Sequence, residues 1–357
     1  MKMGFLIYSL QGGGAERMVS KLANFMVDKV DEVTLFLING EGIAYSLDPK
    51  VKQVVFDFQE SGNRIRRAAK RLQVIRNEVK KADIDILYAF TTTMYPYAAL
   101  CCKGLKTKVI GAERANPQVY GKEMRLAIKL VSPLCDGFVF QTEGARGCYP
   151  KSIAKRAVVI PNAAPDTTCE RKERSDNTMR FCTVGRLHTD KDFDTLIDAF
   201  AIYIKNYPDS ELTILGDGEL KGYYVEKCQK LQIADKVVFA GFVKNVYEKL
   251  ADFDAFVFSS KSEGMPNALL EAMTVGLPCL STDCDYGPRE FIQHGVNGLL
   301  CKVADAQDMA EKMRQLAADP EARTQMGKNA LKVRADYAED KILGKYLTYA
   351  ESLLQNL

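Results

Sequence analysis

Ala255-Phe256-Val257-Phe258-Ser259-Ser260-Lys261-Ser262-Glu263-Gly264-Met265-Pro266-Asn267-Ala268-Leu269-Leu270-Glu271-Ala272-Met273 decides how this chain folds. Its first four residues are apolar and run into two serines, which reads as a buried strand ending at about Ser259. A polar loop follows. Pro266 suits the first position of a helix that continues to about Val275. A strand, a loop and a helix N-terminus leave the amides of Asn267, Ala268 and Leu269 as donors, with the helix dipole behind them. Such an end receives an anion. Glu263 precedes the helix and Glu271 lies just over one turn inside it, so two carboxylates flank the anion site. Carboxylates suit sugar and ribose hydroxyls because each offers two acceptor oxygens.

The same alternation extends in both directions. Candidate strands lie at 180–184, 212–215, 237–240, 255–258, 278–281 and 299–301. Helical patterns intervene at Phe193–Asn206, Tyr223–Leu231, Asn267–Val275 and Asp305–Ala318. The first half repeats the scheme, with strands at 3–9, 33–38, 86–90, 108–112 and 137–141 and helical patterns such as Ala15–Lys29 and Asn63–Ala82. Strands alternating with helices imply parallel sheets with helices on both faces. Two series predict an α/β chain of two doubly wound domains, 1–162 and 163–336, joined near the polar stretch Glu170–Asn177. A final segment, 337–357, carries the helical pattern Tyr337–Gln355, which is expected to cross back to the first domain. Ligands of such sheets bind at the carboxyl ends of the strands, so a cleft between the domains is expected.

Two more strand ends carry chemistry. Val184-Gly185-Arg186-Leu187-His188-Thr189-Asp190-Lys191 places Arg186 and Lys191 where they can meet a diphosphate and stabilise a leaving group. The plainer alternative is a surface ion pair with Asp190 or Asp192. Leu215-Gly216-Asp217-Gly218-Glu219 is a glycine turn at the next strand end. In the first half, Gln11-Gly12-Gly13-Gly14-Ala15-Glu16-Arg17 follows the first strand and opens a helix, another anion site by geometry. A nicotinamide-dinucleotide fingerprint fits it badly: Arg17 takes the place of the third glycine, and the second strand ends in Asn39 without the acid that holds a ribose. A tight turn without a ligand is the other alternative.

Composition narrows the function class. The chain has 357 residues, 47% apolar and 27% charged, close to an ordinary globular protein. No apolar run reaches the roughly 18 residues of a spanning helix, and the N-terminal strand is too short for a signal peptide, so a cytoplasmic location is expected. Ten cysteines include no C-x-x-C pair and there are only two histidines, so buried free thiols are expected and no zinc site. The net charge of +3 hides an asymmetry: residues 1–162 carry +10 and residues 163–357 carry −7. Much of the excess lies in Asn63–Ala82, where Arg64, Arg66, Arg67, Lys70, Arg71, Arg76, Lys80 and Lys81 alternate with an apolar stripe of Ile65, Ala68, Ala69, Leu72, Ile75, Val79 and Ala82. Such a helix suits an anionic membrane surface. The alternative is a stripe buried in the core with a solvated basic face. Nucleic acid is disfavoured, since no aromatic platform accompanies the basic residues.

The second half resembles the nucleotide-sugar domain of the family 4 retaining glycosyltransferases, which have the GT-B fold. The likeness rests on Glu263 and Glu271 separated by seven residues, on Gly185, Arg186, Leu187 and Lys191, on Gly216 and Gly218, and on Gly13-Gly14-Ala15-Glu16-Arg17. The resemblance implies that Arg186 and Lys191 bind the diphosphate, Glu263 contacts the donor sugar and Glu271 holds the ribose. Met265, Pro266, Asn267, Ala268 and Leu269 would offer backbone groups, and Phe242 and Val243 would lie along the base. Gly13 and Gly14 would approach phosphates or acceptor. No metal is implied, and Asp283-Cys284-Asp285 reads as a polar loop. One departure is the absence of a histidine near Ile110-Gly111-Ala112-Glu113-Arg114-Ala115-Asn116-Pro117. This stretch is similar to bacterial enzymes of surface glycans and lipid-linked oligosaccharides, which implies a catalytic or acceptor-binding Glu113 and Arg114; a structural pairing of Glu113 with an arginine is the alternative. Asp283–Glu290 resembles a loop of transferases that use UDP-GalNAc, UDP-Gal or UDP-GlcNAc. The expected acceptor is a glycan on a polyprenyl diphosphate, with Arg114, Arg67, Lys70 and Arg71 toward acceptor or membrane. A UDP-sugar epimerase and a silent nucleotide-sugar-binding subunit are the rival functions.

Overall fold

The strands of the computed structural model, which describes residues 1–11, 13–58, 63–114, 120–172 and 178–355, form two separate parallel sheets. The chain divides into two units, Met1–Asn162 with Asp340–Leu357, and Ala163–Glu339.

In the first unit the strands are β1 Lys2–Ile7, β2 Glu32–Leu37, β3 Lys52–Val55, β4 Ile86–Phe90, β5 Lys108–Ala112, β6 Gly137–Phe140 and β7 Ala157–Val159. They lie in the order β3-β2-β1-β4-β5-β6-β7. The central strands are buried along nearly their whole length, as a sheet covered on both faces requires. The two edge strands are not among the sequence-predicted elements. β3 (Lys-Gln-Val-Val) is largely exposed and β7 is three half-buried residues, so neither offers a strong apolar run. The helices are α1 Gly14–Met26, α2 Arg64–Lys81, α3 Met94–Cys101, α4 Lys122–Val131, α5 Glu143–Gly147 and α6 Lys151–Ala154. Within α2, Ile75 and Val79 are buried and Leu72 packs beside them, so the apolar stripe faces the core; Ala69, expected on that stripe, is exposed. The helix Glu339–Gln355 joins this unit: the Tyr88 hydroxyl donates to the Tyr346 carbonyl at 2.7 Å, and the Phe138 amide donates to the Tyr349 hydroxyl at 3.1 Å.

The second unit contains β8 Arg180–Val184, β9 Glu211–Leu215, β10 Val237–Gly241, β11 Ala255–Phe258, β12 Cys279–Thr282 and β13 Gly298–Cys301, in the order β10-β9-β8-β11-β12-β13. Its helices are α7 Phe193–Tyr203, α8 Lys221–Lys230, α9 Val246–Leu250, α10 Asn267–Thr274, α11 Pro288–Phe291, α12 Ala306–Ala318, α13 Pro320–Ala330 and α14 Val333–Asp336. Pro266 is the N-cap of α10 and not its first helical residue. All ten cysteines are free thiols, eight of them buried. No helix among the described residues is long and apolar enough to cross a membrane.

Candidate active site

The strand order of the second unit reverses at β8 and β11, the point where an open parallel sheet leaves a crevice beyond its strand ends. Three loops meet there. The β8 loop continues into a 3₁₀ turn, Thr189–Lys191, and the β11 loop holds that turn in place. The Ser259 hydroxyl donates to the Lys191 carbonyl at 2.7 Å, and the Lys261 amide donates to the Asp190 carbonyl at 2.9 Å. The Lys191 ammonium then reaches Glu263 Oε1 at 2.5 Å. Glu263 keeps 13% of its side chain exposed and Lys191 keeps 22%, so the pair is lodged in the protein yet open to a small molecule.

The glycine turns bind each other directly. The Gly185 amide donates to the Leu215 carbonyl at 3.0 Å, and the Leu187 amide donates to the Asp217 carbonyl at 2.9 Å. A Cβ on Gly216, whose φ is +151°, would overlap the Gly185 carbonyl oxygen, and one on Gly218 would stand 2.6 Å from the Leu187 carbonyl oxygen. These positions are glycine because two backbones touch. The Gly216 amide also donates to the Gly241 carbonyl at 2.8 Å, which ties in the end of β10.

Around the Lys191–Glu263 pair the side chains divide by exposure. Arg186 is exposed and takes no ion-pair partner among the described residues, so the alternative surface pairing with Asp190 or Asp192 does not form for it, whereas Lys191 lies 3.9 Å from Asp190 Oδ2 as well as against Glu263. Asp190 bonds the His188 ring at 2.5 Å, and buried Asp192 pairs with Lys261 at 3.0 Å. Phe242, just beyond β10, is 84% exposed, while Val243 beside it is partly covered. Met265, Pro266 and Leu269 are buried, so only their backbone can face a ligand. The ladder of α10 begins with the Leu270 amide on the Pro266 carbonyl at 3.2 Å, which leaves the amides of the first turn outside it. Glu271 is 6% exposed within α10. The Asp283–Glu290 loop closes against this end: a Cβ on Gly287, whose φ is +104°, would stand 2.5 Å from the Pro266 ring. Burial and then the charge of Glu263 push the Cys284 thiol up to about 12, which places Cys284 beside the carboxylate as an inert neighbour.

In the first unit, Glu113 at the end of β5 is 1% exposed. Its carboxyl accepts from the Thr92 hydroxyl at 2.7 Å, the Tyr149 hydroxyl at 2.8 Å, the Tyr120 hydroxyl at 3.1 Å and the Arg114 amide at 3.0 Å. Burial, and next the Glu113 charge, push both tyrosine hydroxyls above the usual phenol range, so they remain donors. The Arg114 guanidinium is directed to the Tyr346 hydroxyl at 3.1 Å and to Asn162. Gly13 caps α1; its amide donates to the Tyr45 hydroxyl at 3.1 Å, and the Glu16 carboxylate lies across the place where a Gly13 side chain would be. Gly14 is exposed.

Comparison with known proteins decides the family. Residues 167–333 match the model of the glycosyl transferases group 1. The chain is 29% identical, over 96% of both lengths, to a Campylobacter jejuni N-acetylgalactosamine-N,N'-diacetylbacillosaminyl-diphospho-undecaprenol 4-alpha-N-acetylgalactosaminyltransferase. Residues 167–333 belong to the group 1 glycosyltransferases. An uncharacterized glycosyltransferase of Haemophilus influenzae is 25% identical over 97% of this chain and 98% of its own. The crystal structure of Anabaena HepE in complex with UDP superposes with a TM-score of 0.84 at 21% identity, over 99% of this chain and 100% of that one, which shows the GT-B fold.

In this glycosyltransferase Arg186, Lys191, Gly216, Phe242, Glu263 and the start of α10 all lie at strand ends of one sheet, and Lys191 touches Glu263. Arg67 is exposed on α2, whereas Lys70 and Arg71 are half-buried, Arg71 lying 5.3 Å over the Phe58 ring. Ala115, Asn116, Pro117 and residues 173–177 lie outside the described residues. Sequence reading missed the hydroxyls around Glu113, because Thr92, Tyr120 and Tyr149 carry no local motif. It also missed Gly287, whose signal is a glycine followed by Pro288 at a helix start.

Proposed function

We propose that this glycosyltransferase moves a hexose or an N-acetylhexosamine from UDP-GalNAc, UDP-Gal or UDP-GlcNAc to a hydroxyl of a polyprenyl-diphosphate-linked glycan, with retention at the anomeric carbon. The acceptor would meet the enzyme at the inner face of the cytoplasmic membrane. The observation that carries the reading is the Lys191–Glu263 pair at 2.5 Å beside the N-terminus of α10, with Arg186 exposed near it. The diphosphate would take the first-turn amides, Arg186 and Lys191. As the bond from the anomeric carbon to the diphosphate breaks, UDP leaves with the electron pair, and these groups meet the growing negative charge. The acceptor oxygen would form the new bond to the anomeric carbon and pass its proton to an oxygen of the departing diphosphate. Glu263 would contact the donor sugar, Glu271 the ribose, and Phe242 with Val243 the base. Arg186, Lys191 and the helix end would do here what a divalent cation does in other transferases. The names of the Campylobacter jejuni relative and of the Anabaena complex support donor and acceptor class.

The test is UDP release from a panel of UDP-sugars, with and without a lipid-linked glycan acceptor, followed by mass spectrometry of the products. One donor turned over above the rest, with a product one sugar heavier, is the expected result. UDP release from none of them in the presence of acceptor would overturn the reading.

A further inference from the structure

α4 is apolar on two sides. Its core side carries Ile128, which is buried, and Val131, which packs against the same cluster. Its outer side, prolonged by the 3₁₀ turn Ser132–Leu134, presents Arg125, Leu126, Lys129, Leu130, Pro133 and Leu134, all exposed. Leu126 is 58% exposed, Leu130 67% and Leu134 42%. A surface helix of a globular unit normally turns polar residues outward. Here three leucines at four-residue spacing form a ridge, and none of the six outward residues is acidic.

The surroundings are basic and continuous with the ridge. α3 packs against both α2 and α4. Its Leu100 is 44% exposed, and Lys103 follows it at the surface. Lys151 and Lys155 are exposed on and just after α6, which contacts the same 3₁₀ turn. Residues 100–156 hold eleven Lys and Arg against four Asp and Glu, and one of the four is the buried Glu113. Exposed leucines set among cations have one fitting partner, the boundary between headgroups and acyl chains of an anionic bilayer.

We propose that α4, rather than α2, is the membrane anchor of this glycosyltransferase: Leu126, Leu130 and Leu134 enter the bilayer surface while Arg125 and Lys129 meet anionic headgroups. α2 buries its apolar stripe and contributes charge alone. The inference draws on the lipid-linked acceptor of the preceding reading only for the reason a bilayer is at hand.

Vesicle sedimentation of the full chain tests it. The vesicles are equal parts phosphatidylglycerol and phosphatidylcholine, or phosphatidylcholine alone, and contain no glycan. Wild type is expected to sediment with the anionic vesicles. The double variant Leu126→Gln/Leu130→Gln is expected to bind about tenfold more weakly. Arg125→Gln/Lys129→Gln is expected to lose the preference for phosphatidylglycerol. All four substituted positions are exposed, so melting temperatures should not change. A wild type that stays in the supernatant, or a leucine variant that sediments equally well, overturns the proposal. So does a leucine variant that alters only the mass seen by light scattering, which would assign the ridge to a second copy. Because the vesicles carry no acceptor, a failed sugar-transfer assay leaves this result standing, and a failed sedimentation leaves the transfer reading standing.

Discussion

Each unit presents a glutamate beyond a strand end, and the two are built in opposite ways. Glu113 is sealed at 1% exposure, with three side-chain hydroxyls and an amide directed at its carboxyl. Glu263 is 13% exposed and meets one cation, Lys191. A buried polar group must be satisfied from within the protein, and a satisfied one has little capacity left for a ligand. The comparison sets a carboxyl satisfied within its own unit beside one that is more exposed and meets a cation. It leads us to assign Glu113 to the positioning of Thr92, Tyr120 and Tyr149, and to keep the chemistry at Glu263.

After loss of Glu263 itself, the largest expected effect sharpens the open side of the contrast. Arg186→Ala and Lys191→Ala should each lower kcat by about 10²–10³-fold, the usual cost of removing a group that stabilises developing charge. Steady-state kinetics with the identified donor would check it, and loss confined to KM would move these residues from chemistry to binding. Next, Glu113→Ala should cost stability rather than chemistry. Three hydroxyls, those of Thr92 and Tyr149 buried and that of Tyr120 half-buried, would lose their acceptor, at about 2–4 kcal/mol in total, and Tm should fall by about 5–10 °C. A variant with unchanged Tm but no turnover would break the contrast and put Glu113 among the reacting groups. Phe242→Ala removes a ring that is 84% exposed. KM for the UDP-sugar should rise by about tenfold or less, with Tm unchanged. The smallest effect is none at all: on the proposed reading Arg186, Lys191 and the helix end would supply the positive charge, so millimolar EDTA should leave the rate unaltered.

Much of the fold was legible because a parallel sheet buried on both faces is written as short apolar runs, and β4, β5, β8 and β11 fall where those runs are. β3 and β7 were not, because edge strands are covered on one side only and lack the run. α4 was not among the predicted elements, although its residues alternate apolar and charged at helical spacing. The candidate site was legible one strand end at a time. What could not be read was contact between ends: Lys191 and Glu263 lie 72 residues apart, and Arg114 reaches Tyr346 across 232. The fate of Glu113 was hidden for the same reason, since its hydroxyl donors come from three separate segments.

On the proposed reading sugar transfer is carried by Glu263 of the second unit. The most direct measurement is turnover per folded molecule for wild type and Glu263→Ala, with folding verified by thermal melting. The expected outcome is an unchanged melt with transfer abolished. Full transfer by Glu263→Ala would contradict it.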